Sequence, residues 1–494
     1  MFAQRGKCVS APAWMTALLI FVTATRWALA PHHLYYFDSA NFALALERFN
    51  PALHQPQPPG YPLFVLLSRI IHFWVARPES VFLIAGLLAA FGALLLLRAL
   101  AHDLFGREAG LLAAALLASD PAFWFGGITN EIRIFLSLTA AGVGWLAWRA
   151  AQRPARSRWL YGTFAALGVA AGFRPLLPVL LLPLALWAWW RQGARLRALA
   201  AGAGVLAASA LPWLAVTVRA AGGPRPYVEV LWEYATSQFS GSSAVFGAAA
   251  PSAYHMFAMA VVWTFFGALV WIWALPFLKI RLIDRTRAAF LALAFLPPFL
   301  FSALIHIGDP DQALAGVTIL CAVGGGVLAH TRREWTGRAL ATAAAAVLAA
   351  HTVLFFRPPG GLARASSYRA AAAVNRMTDN ALQAIAALRG NGPVTIVHYG
   401  SLVASRQLEY YFPDDYVVVL PDEQVFFRHQ PLAKPPDAAG LLRPGSRRII
   451  CLRPYNASGQ ELPGWRKQGP VFYRDLENPQ EVAVGPYRVV RQIS

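Results

Sequence analysis

The segment GYPLFVLLSRIIHFWVA, residues 60–76, decides how the chain is laid out. It is apolar throughout but carries Arg69 and His72. Five short basic loops follow it, at residues 98–107, 149–158, 191–197, 279–287 and 332–338. If residues 60–76 crossed a bilayer, every later basic loop would move to the other side. Read as an interfacial or re-entrant helix, the segment keeps all five loops on the side of the N-terminus. That side is then cytoplasmic, because Lys and Arg collect in cytoplasmic loops.

Around this segment lie runs of the length that spans a hydrocarbon core, about 20 apolar residues. They fall near 13–30, 80–98, 109–126, 132–149, 159–173, 176–190, 198–218, 256–278, 288–305, 312–330 and 338–356. Eleven crossings put the N-terminus inside and the C-terminus outside. The composition agrees. Of 494 residues, 57% are hydrophobic and 14% charged, and the mean hydropathy is +0.46. A soluble globular chain carries about 25% charged residues. A net charge of +19 would suit nucleic acid, but the Arg clusters sit between apolar runs, so membrane lipids are the expected partner and nucleic acid is not. Cys8, Cys321 and Cys451 form no disulfide or metal pattern. The WALA at 27–30 resembles a signal-peptide end. With so many spans after it, a retained anchor is the simpler reading.

From about residue 357 the composition changes. An amphipathic helix near 366–389 precedes separated strand-like runs at 394–399, 416–420, 447–452, 470–476 and 487–490. The chain therefore reads as a polytopic α-helical membrane protein of about 11 spans with a small C-terminal extracytoplasmic α/β domain. The expected partition is 1–356 for the membrane domain and 357–494 for the α/β domain. The first outer loop, 31–79 with its juxtamembrane helices, belongs to the former. The tail has no Gly-rich phosphate loop and reads as a cap or acceptor-recognition module.

The residues suited to chemistry collect on the outer face. Asp38 opens FDSANFALALERF beyond the first span, beside Tyr35, Tyr36 and Phe37. A carboxylate there suits a general base acting on a hydroxyl, and equally suits the cap of an interfacial helix. Glu131, with Arg133, begins the fourth span in TNEIRIF. An acid at a membrane mouth marks a functional site or a carboxylate favoured by the helix dipole. Asp120 before Pro121 is a second acid or a helix stop. Arg174 in GFRPLLP faces outward, against the positive-inside trend, where it suits a phosphate or snorkels at the interface. His306, Asp309, Asp311 and Gln312 share the loop HIGDPDQ, and His32, His33 and His54 share the first outer loop. The histidines and aspartates are candidate ligands for a divalent cation, with no diagnostic spacing, and no metal site is assigned. Tyr227, Trp232, Tyr234 and Phe239, in an expected loop at 219–255, suit sugar stacking or an interfacial aromatic belt.

Three of these places carry a resemblance: HQPQPPGYPLF (54–64) following the acid after the first span, TNEIRIF, and HIGDPDQ. Together they resemble the GT-C superfamily of membrane glycosyltransferases, in particular bacterial relatives of protein O-mannosyltransferases and of lipid A aminoarabinose transferases. The PPGYPL element is the most specific piece, and the likeness covers roughly residues 10–356. The resemblance implies an enzyme taking a sugar from a polyprenyl-phosphate donor to a lipid, glycan or protein acceptor outside the cytoplasm of a bacterial plasma membrane. It implies Asp38 as catalytic base, Glu131 as second acid and Arg174 on the carrier phosphate. It also places Tyr36, His54, Pro59, Tyr61, Arg133, His306, Asp309, Asp311 and Gln312 around the substrates. The chain departs from the pattern in two places: Ser39 follows Asp38 where many mannosyltransferases have a second acid, and Asp309-Pro310-Asp311 stands where relatives often carry Gly-Tyr.

A base on the acceptor and a cation on the departing phosphate make a single, inverting displacement coherent. Two other readings compete. A lipid or lipid-linked sugar transporter or flippase rests on span number alone, and a polysaccharide polymerase would also use a large outer loop. Transporters, however, place charged sites at mid-membrane, whereas these candidates lie at the outer mouth.

Overall fold

The computed structural model describes residues 11–129, 131–153, 157–193, 195–242, 245, 250–277, 284–305, 313–332, 335–390, 392, 394–398, 404–419, 441–442, 446–452, 463–476, 481–484 and 487–491. Two compact units emerge. One comprises Met1–Ala30, Tyr61–Val218 and Trp232–Ala371; the other comprises Pro31–Gly60, Arg219–Leu231 and Ala372–Ser494.

The first unit is helical. It holds α1 (Ala11–Leu29), α3 (Pro62–His72), α4 (Pro78–Phe105), α5 (Arg107–Ser119), α6 (Pro121–Thr129), α7 (Ile134–Gln152), α8 (Ser157–Phe173), α9 (Leu177–Arg191) and α10 (Leu196–Ala220). After these come α12 (Ala250–Phe265), α13 (Arg285–Leu300), α14 (Leu314–Ala329) and α15 (Gly337–Phe356). Each of the eleven apolar runs overlaps a helix. Among the described residues six helices are long and apolar enough to cross a bilayer. A seventh arises if α5 and α6, bent by 51°, form one broken span. Prolines lie inside two helices, Pro183 in α9 and Pro297–Pro298 in α13, where each removes a backbone donor. Large apolar side chains such as Val179, Leu211 and Val353 point outward, 58–65% exposed. Only lipid covers such surface at no cost, so the chain is a multi-pass membrane protein.

Close helix crossings use small residues. On α14, a Cβ at Gly325 would lie 2.5 Å from the Ala109 carbonyl oxygen and 2.8 Å from Ala113 Cβ of α5. Gly325 thus lets the two backbones approach to packing distance. Helix α3 has 11 residues, roughly 16 Å at ~1.5 Å per residue, against a hydrocarbon core of about 30 Å. It buries Phe64, Val65, Ser68 and Ile71 and exposes Leu66 and Ile70, and Phe73 and Trp74 are exposed just beyond its end. Length and two-sidedness alike fit an interfacial helix.

The second unit carries α2 (Phe37–Glu47), much of the C-terminal helix α16 (Tyr368–Arg389) and α17 (Ser405–Tyr411). Its strands are β1 (Val394–His398), β2 (Tyr416–Val419), β3 (Leu441–Leu442), β4 (Arg448–Cys451), β5 (Arg466–Gln468), β6 (Val471–Asp475), β7 (Glu481–Val484) and β8 (Tyr487–Arg491). The main sheet runs β2-β1-β4-β6-β5. β1 pairs parallel with β2 and β4, and β6 pairs antiparallel with β4 and β5. Parallel neighbours need a crossover, and α17 is the crossover from β1 to β2. Ala381, Leu382, Ile385 and Leu388 of α16 pack on Ile396 and Ile450 of the sheet. The strands fall where alternating and β-branched runs place them, and β3, β5 and β7 are additional.

Two expectations change. Residues 219–255 were expected as a loop; instead Pro224–Ser242 forms a helix, α11. Pro224 suits a first helical position, and Arg225 Nε donates to Glu229 Oε1 one turn on at 2.8 Å. The partition also differs. Residues 31–60 belong with 372–494, not with the membrane helices, because side chains of α17 satisfy backbone groups of that early segment.

Candidate active site

Asp38 occupies the first turn of α2, with Tyr36 at the N-cap. The rings of Tyr35 and Tyr36 meet edge to face at 4.6 Å. The turn of α2 after Asp38 is buried on all sides, Ser39 through Ala43, which fixes the half-buried carboxylate at the head of a seated helix. After α2 the chain makes a tight 3-10 turn, Pro51–Leu53, capped by Asn50, whose side chain accepts from Ala52 N at 3.0 Å. His54 closes the turn with φ 51° and is 5% exposed. A non-glycine residue at positive φ is held there by its surroundings. Pro59 offers its carbonyl to the Tyr227 hydroxyl at 3.0 Å, and burial pushes the Tyr227 phenol up to about 12.

The segment 31–60 is anchored from α17. The Arg406 guanidinium donates to Asn41 Oδ1 at 3.0 Å, to the Leu53 carbonyl at 2.7 Å and to the His54 carbonyl at 3.3 Å. Gln407 Nε2 donates to the Leu34 carbonyl, and Leu34 N donates to the Tyr411 hydroxyl at 2.8 Å. Sequence reasoning named none of these three residues. The available signal was a short polar helix, SRQLEYY, between two β-branched strands.

In the first unit, Glu131 and Arg133 sit on one 3-10 turn, Glu131–Arg133, between α6 and α7. Arg133 is 4% exposed. The turn packs on α4 at Gly86, where a Cβ would lie 2.8 Å from Glu131 Cβ. Asp120 is a helix stop: its Oδ1 accepts from Ala122 N at 2.9 Å and Phe123 N at 3.3 Å, capping α6 after the bend. The buried Arg26 guanidinium donates to the Ala118 carbonyl at 2.7 Å and lies 4.8 Å from the Trp124 ring centre.

Arg174 and Tyr61 meet, with the guanidinium 5.6 Å from the ring centre. Tyr61 precedes α3 with φ 44°. Arg174 follows the last residue of α8 because Pro175 cannot continue the helix. Beside it, Phe173 stacks on Phe135 at 4.3 Å. The same two rings line a cavity of about 230 Å³ between α4, α7 and α8, together with Leu96, Leu138, Trp145 and Val169. Arg174 is the residue after Phe173, which lines this apolar cavity.

The expected site residues therefore fall in two groups: Tyr36, Asp38, His54 and Pro59 in one unit, and Tyr61, Glu131, Arg133 and Arg174 in the other. His306, Asp309, Asp311 and Gln312 lie outside the described residues, as does the side chain of Phe239. Among the described residues no three His, Cys, Asp or Glu side chains form a metal-binding group.

Residues 56–218 match the family model for dolichyl-phosphate-mannose-protein mannosyltransferases. No curated protein sequence is significantly similar to the chain. The fold is similar to that of ArnT from Cupriavidus metallidurans bound to undecaprenyl phosphate, with a TM-score of 0.59 and 15% identity over 94% of this chain and 98% of that one. The apo state of ArnT gives 0.59 and 14% over 90% and 93%. The apo oligosaccharyltransferase of Archaeoglobus fulgidus gives 0.50 and 12% over 89% and 69%. The resemblance read from PPGYPL and TNEIRIF therefore holds: in fold, and over residues 56–218 in sequence, the chain is similar to the GT-C membrane glycosyltransferases.

Proposed function

We propose that the chain is a membrane glycosyltransferase that takes a sugar from a polyprenyl-phosphate donor and passes it to a hydroxyl of a lipid, glycan or protein acceptor. The observation that carries this reading is Arg174, over the Tyr61 ring and next in sequence to Phe173, which lines an apolar cavity, inside the segment that matches the mannosyltransferases. An isoprenoid chain has the chemistry of the cavity, and its phosphate has the charge that the guanidinium complements.

Asp38 is the general base. As the acceptor oxygen attacks the anomeric carbon, its proton passes to the Asp38 carboxylate. The bond from that carbon to the phosphate oxygen breaks on the opposite face, and the electron pair leaves with polyprenyl phosphate. One displacement inverts the carbon and needs one base. Arg174 stabilises the charge growing on the phosphate, and Glu131 serves as the second acid near a substrate. His306, Asp309, Asp311 and Gln312 remain the proposed substrate-side loop. Any divalent cation held there supplies added charge for the phosphate. The reaction lies on the extracytoplasmic face of a bacterial inner membrane, with the N-terminus cytoplasmic.

The test is transfer of radiolabelled sugar from polyprenyl-phosphate donors into an envelope extract by purified wild type and Asp38→Asn. Loss of the base lowers turnover by about 10²–10⁴-fold. Equal transfer by both proteins removes Asp38 from this role, and lipid-linked sugar crossing vesicles without transfer supports a flippase instead.

A further inference from the structure

We propose that Arg406, far downstream on the crossover helix of the C-terminal sheet, is the positioning residue for the segment that carries Asp38. The inference rests on Asp38 being the base. One guanidinium, with 0% side-chain exposure, holds three points of the early segment at once. Its Nε–H reaches Asn41 Oδ1, three residues beyond Asp38 and on the same helix. Its Nη2 reaches the carbonyls of Leu53 and His54, the last residues of the 3-10 turn. The fourth contact, Nη1 to Glu409 Oε2 at 2.6 Å, is an ion pair within α17 that aims the fork.

The planar, rigid guanidinium is suited to this. Its donors have fixed directions, so satisfying all of them fixes α2 relative to the 3-10 turn, and a lysine ammonium cannot reproduce that geometry. Removing it takes the guanidinium donor away from two backbone carbonyls and an amide oxygen, a costly loss at a buried site. Gln407 and Tyr411 hold the chain four residues before Asp38, ahead of α2, at the Leu34 carbonyl and amide. The two sides of α2 are thus tied to one seven-residue helix. The C-terminal unit is then part of the catalytic apparatus, not only a cap or an acceptor-recognition module.

The experiment uses the full-length protein in detergent or nanodiscs, with Arg406→Lys, Asn41→Ala and Asn41→Asp. Amide hydrogen exchange over residues 34–54 is read alongside donor kinetics. Arg406→Lys and Asn41→Ala are expected to raise exchange in this segment while β1 and β4 stay protected. They are expected to lower kcat roughly 10–100-fold, with the KM for the polyprenyl donor within about twofold of wild type. Asn41→Asp keeps the acceptor and restores most of kcat. If Arg406→Lys unfolds the sheet, the Asn41 pair carries the test, because it leaves Arg406 in place. Unchanged exchange over 34–54, or raised exchange with wild-type kcat, overturns the proposal. An inactive wild type, or an Asp38→Asn variant as active as wild type, overturns the reading of Asp38 instead, while the exchange result still decides whether Arg406 clamps the segment.

Discussion

Gly86 carries a demand that no motif announces. A methyl there meets Glu131 Cβ at 2.8 Å and Cγ at 3.1 Å, with the Glu131 Cα at 3.4 Å, so relief requires the turn itself to move. Gly86→Ala is expected to cost about 1–3 kcal/mol through overpacking and to shift the Glu131 turn. Thermal unfolding in detergent and the transfer rate measured together check this, since a shifted turn lowers rate in protein that is still folded. Arg174 makes a second prediction. Replacement by Lys keeps the charge but loses the planar face that lies on Tyr61, a loss of about 1.4 kcal/mol or a tenfold rise in donor KM; Gln loses the charge as well and raises KM further. Initial-rate kinetics on a lipid donor decide it, and an unchanged KM for Arg174→Gln removes the phosphate role. Asp38, Glu131 and Arg174 stand out as candidates in the sequence because each is a charge at the end of an apolar run. Arg406 does not, because it is one of 43 basic residues and its role exists only through partners some 350 residues away.

Among elements, the break between α5 and α6 shows how one residue ends a helix and begins another. Pro121 forbids continuation, and Asp120 caps the new segment through two amides. Asp120→Ala removes that cap, worth about 1 kcal/mol, and also the carboxylate in whose field the buried Arg26 sits; Asp120→Asn keeps the acceptor and is expected to be milder in thermal unfolding. The segment before α2 is tied to α16 by His33 Nε2 and Asp379 Oδ1 at 3.0 Å, and Gln383 donates to the same oxygen at 2.9 Å. The hydrogen bond from His33 holds the Asp379 carboxyl below its ordinary value of 3.8. A depressed carboxylate stabilises the fold above its ordinary value, and that contribution is lost as pH falls through the lowered one. The side chain is 43% exposed, so solvent screening limits the effect to about 0.5 kcal/mol or less. Stability of wild type and Asp379→Asn should differ at neutral pH and converge in acid. Helices and main strands were legible because period and β-branching are local. That residues 224–242 form a helix was not, because their polar composition resembles a loop and only the spacing of Arg225 and Glu229 hints otherwise.

At the scale of the whole molecule, orientation turns on residues 60–76, whose helix α3 has 11 residues, short against a hydrocarbon core of about 30 Å. The resulting placement of the C-terminal unit outside is open to direct labelling. Gln383 is exposed on α16, and a membrane-impermeant thiol reagent is expected to modify Gln383→Cys in intact spheroplasts; modification only after lysis reverses the orientation. The division into units was the part the sequence concealed, since nothing local in residues 31–60 points to 372–494. That division has a consequence in time. Asn41 and Arg406 are separated by 365 positions, and synthesis adds roughly 5–20 residues per second, so the first waits roughly 20–70 s for the second. During that interval the early segment is without its anchor, while the helices after it are still being made. A ribosome that stops before α17 therefore leaves a chain with nearly all its membrane helices and an unfinished Asp38 loop. On the proposed roles of Asp38 and Arg406, activity would arrive only with the last part of the polypeptide.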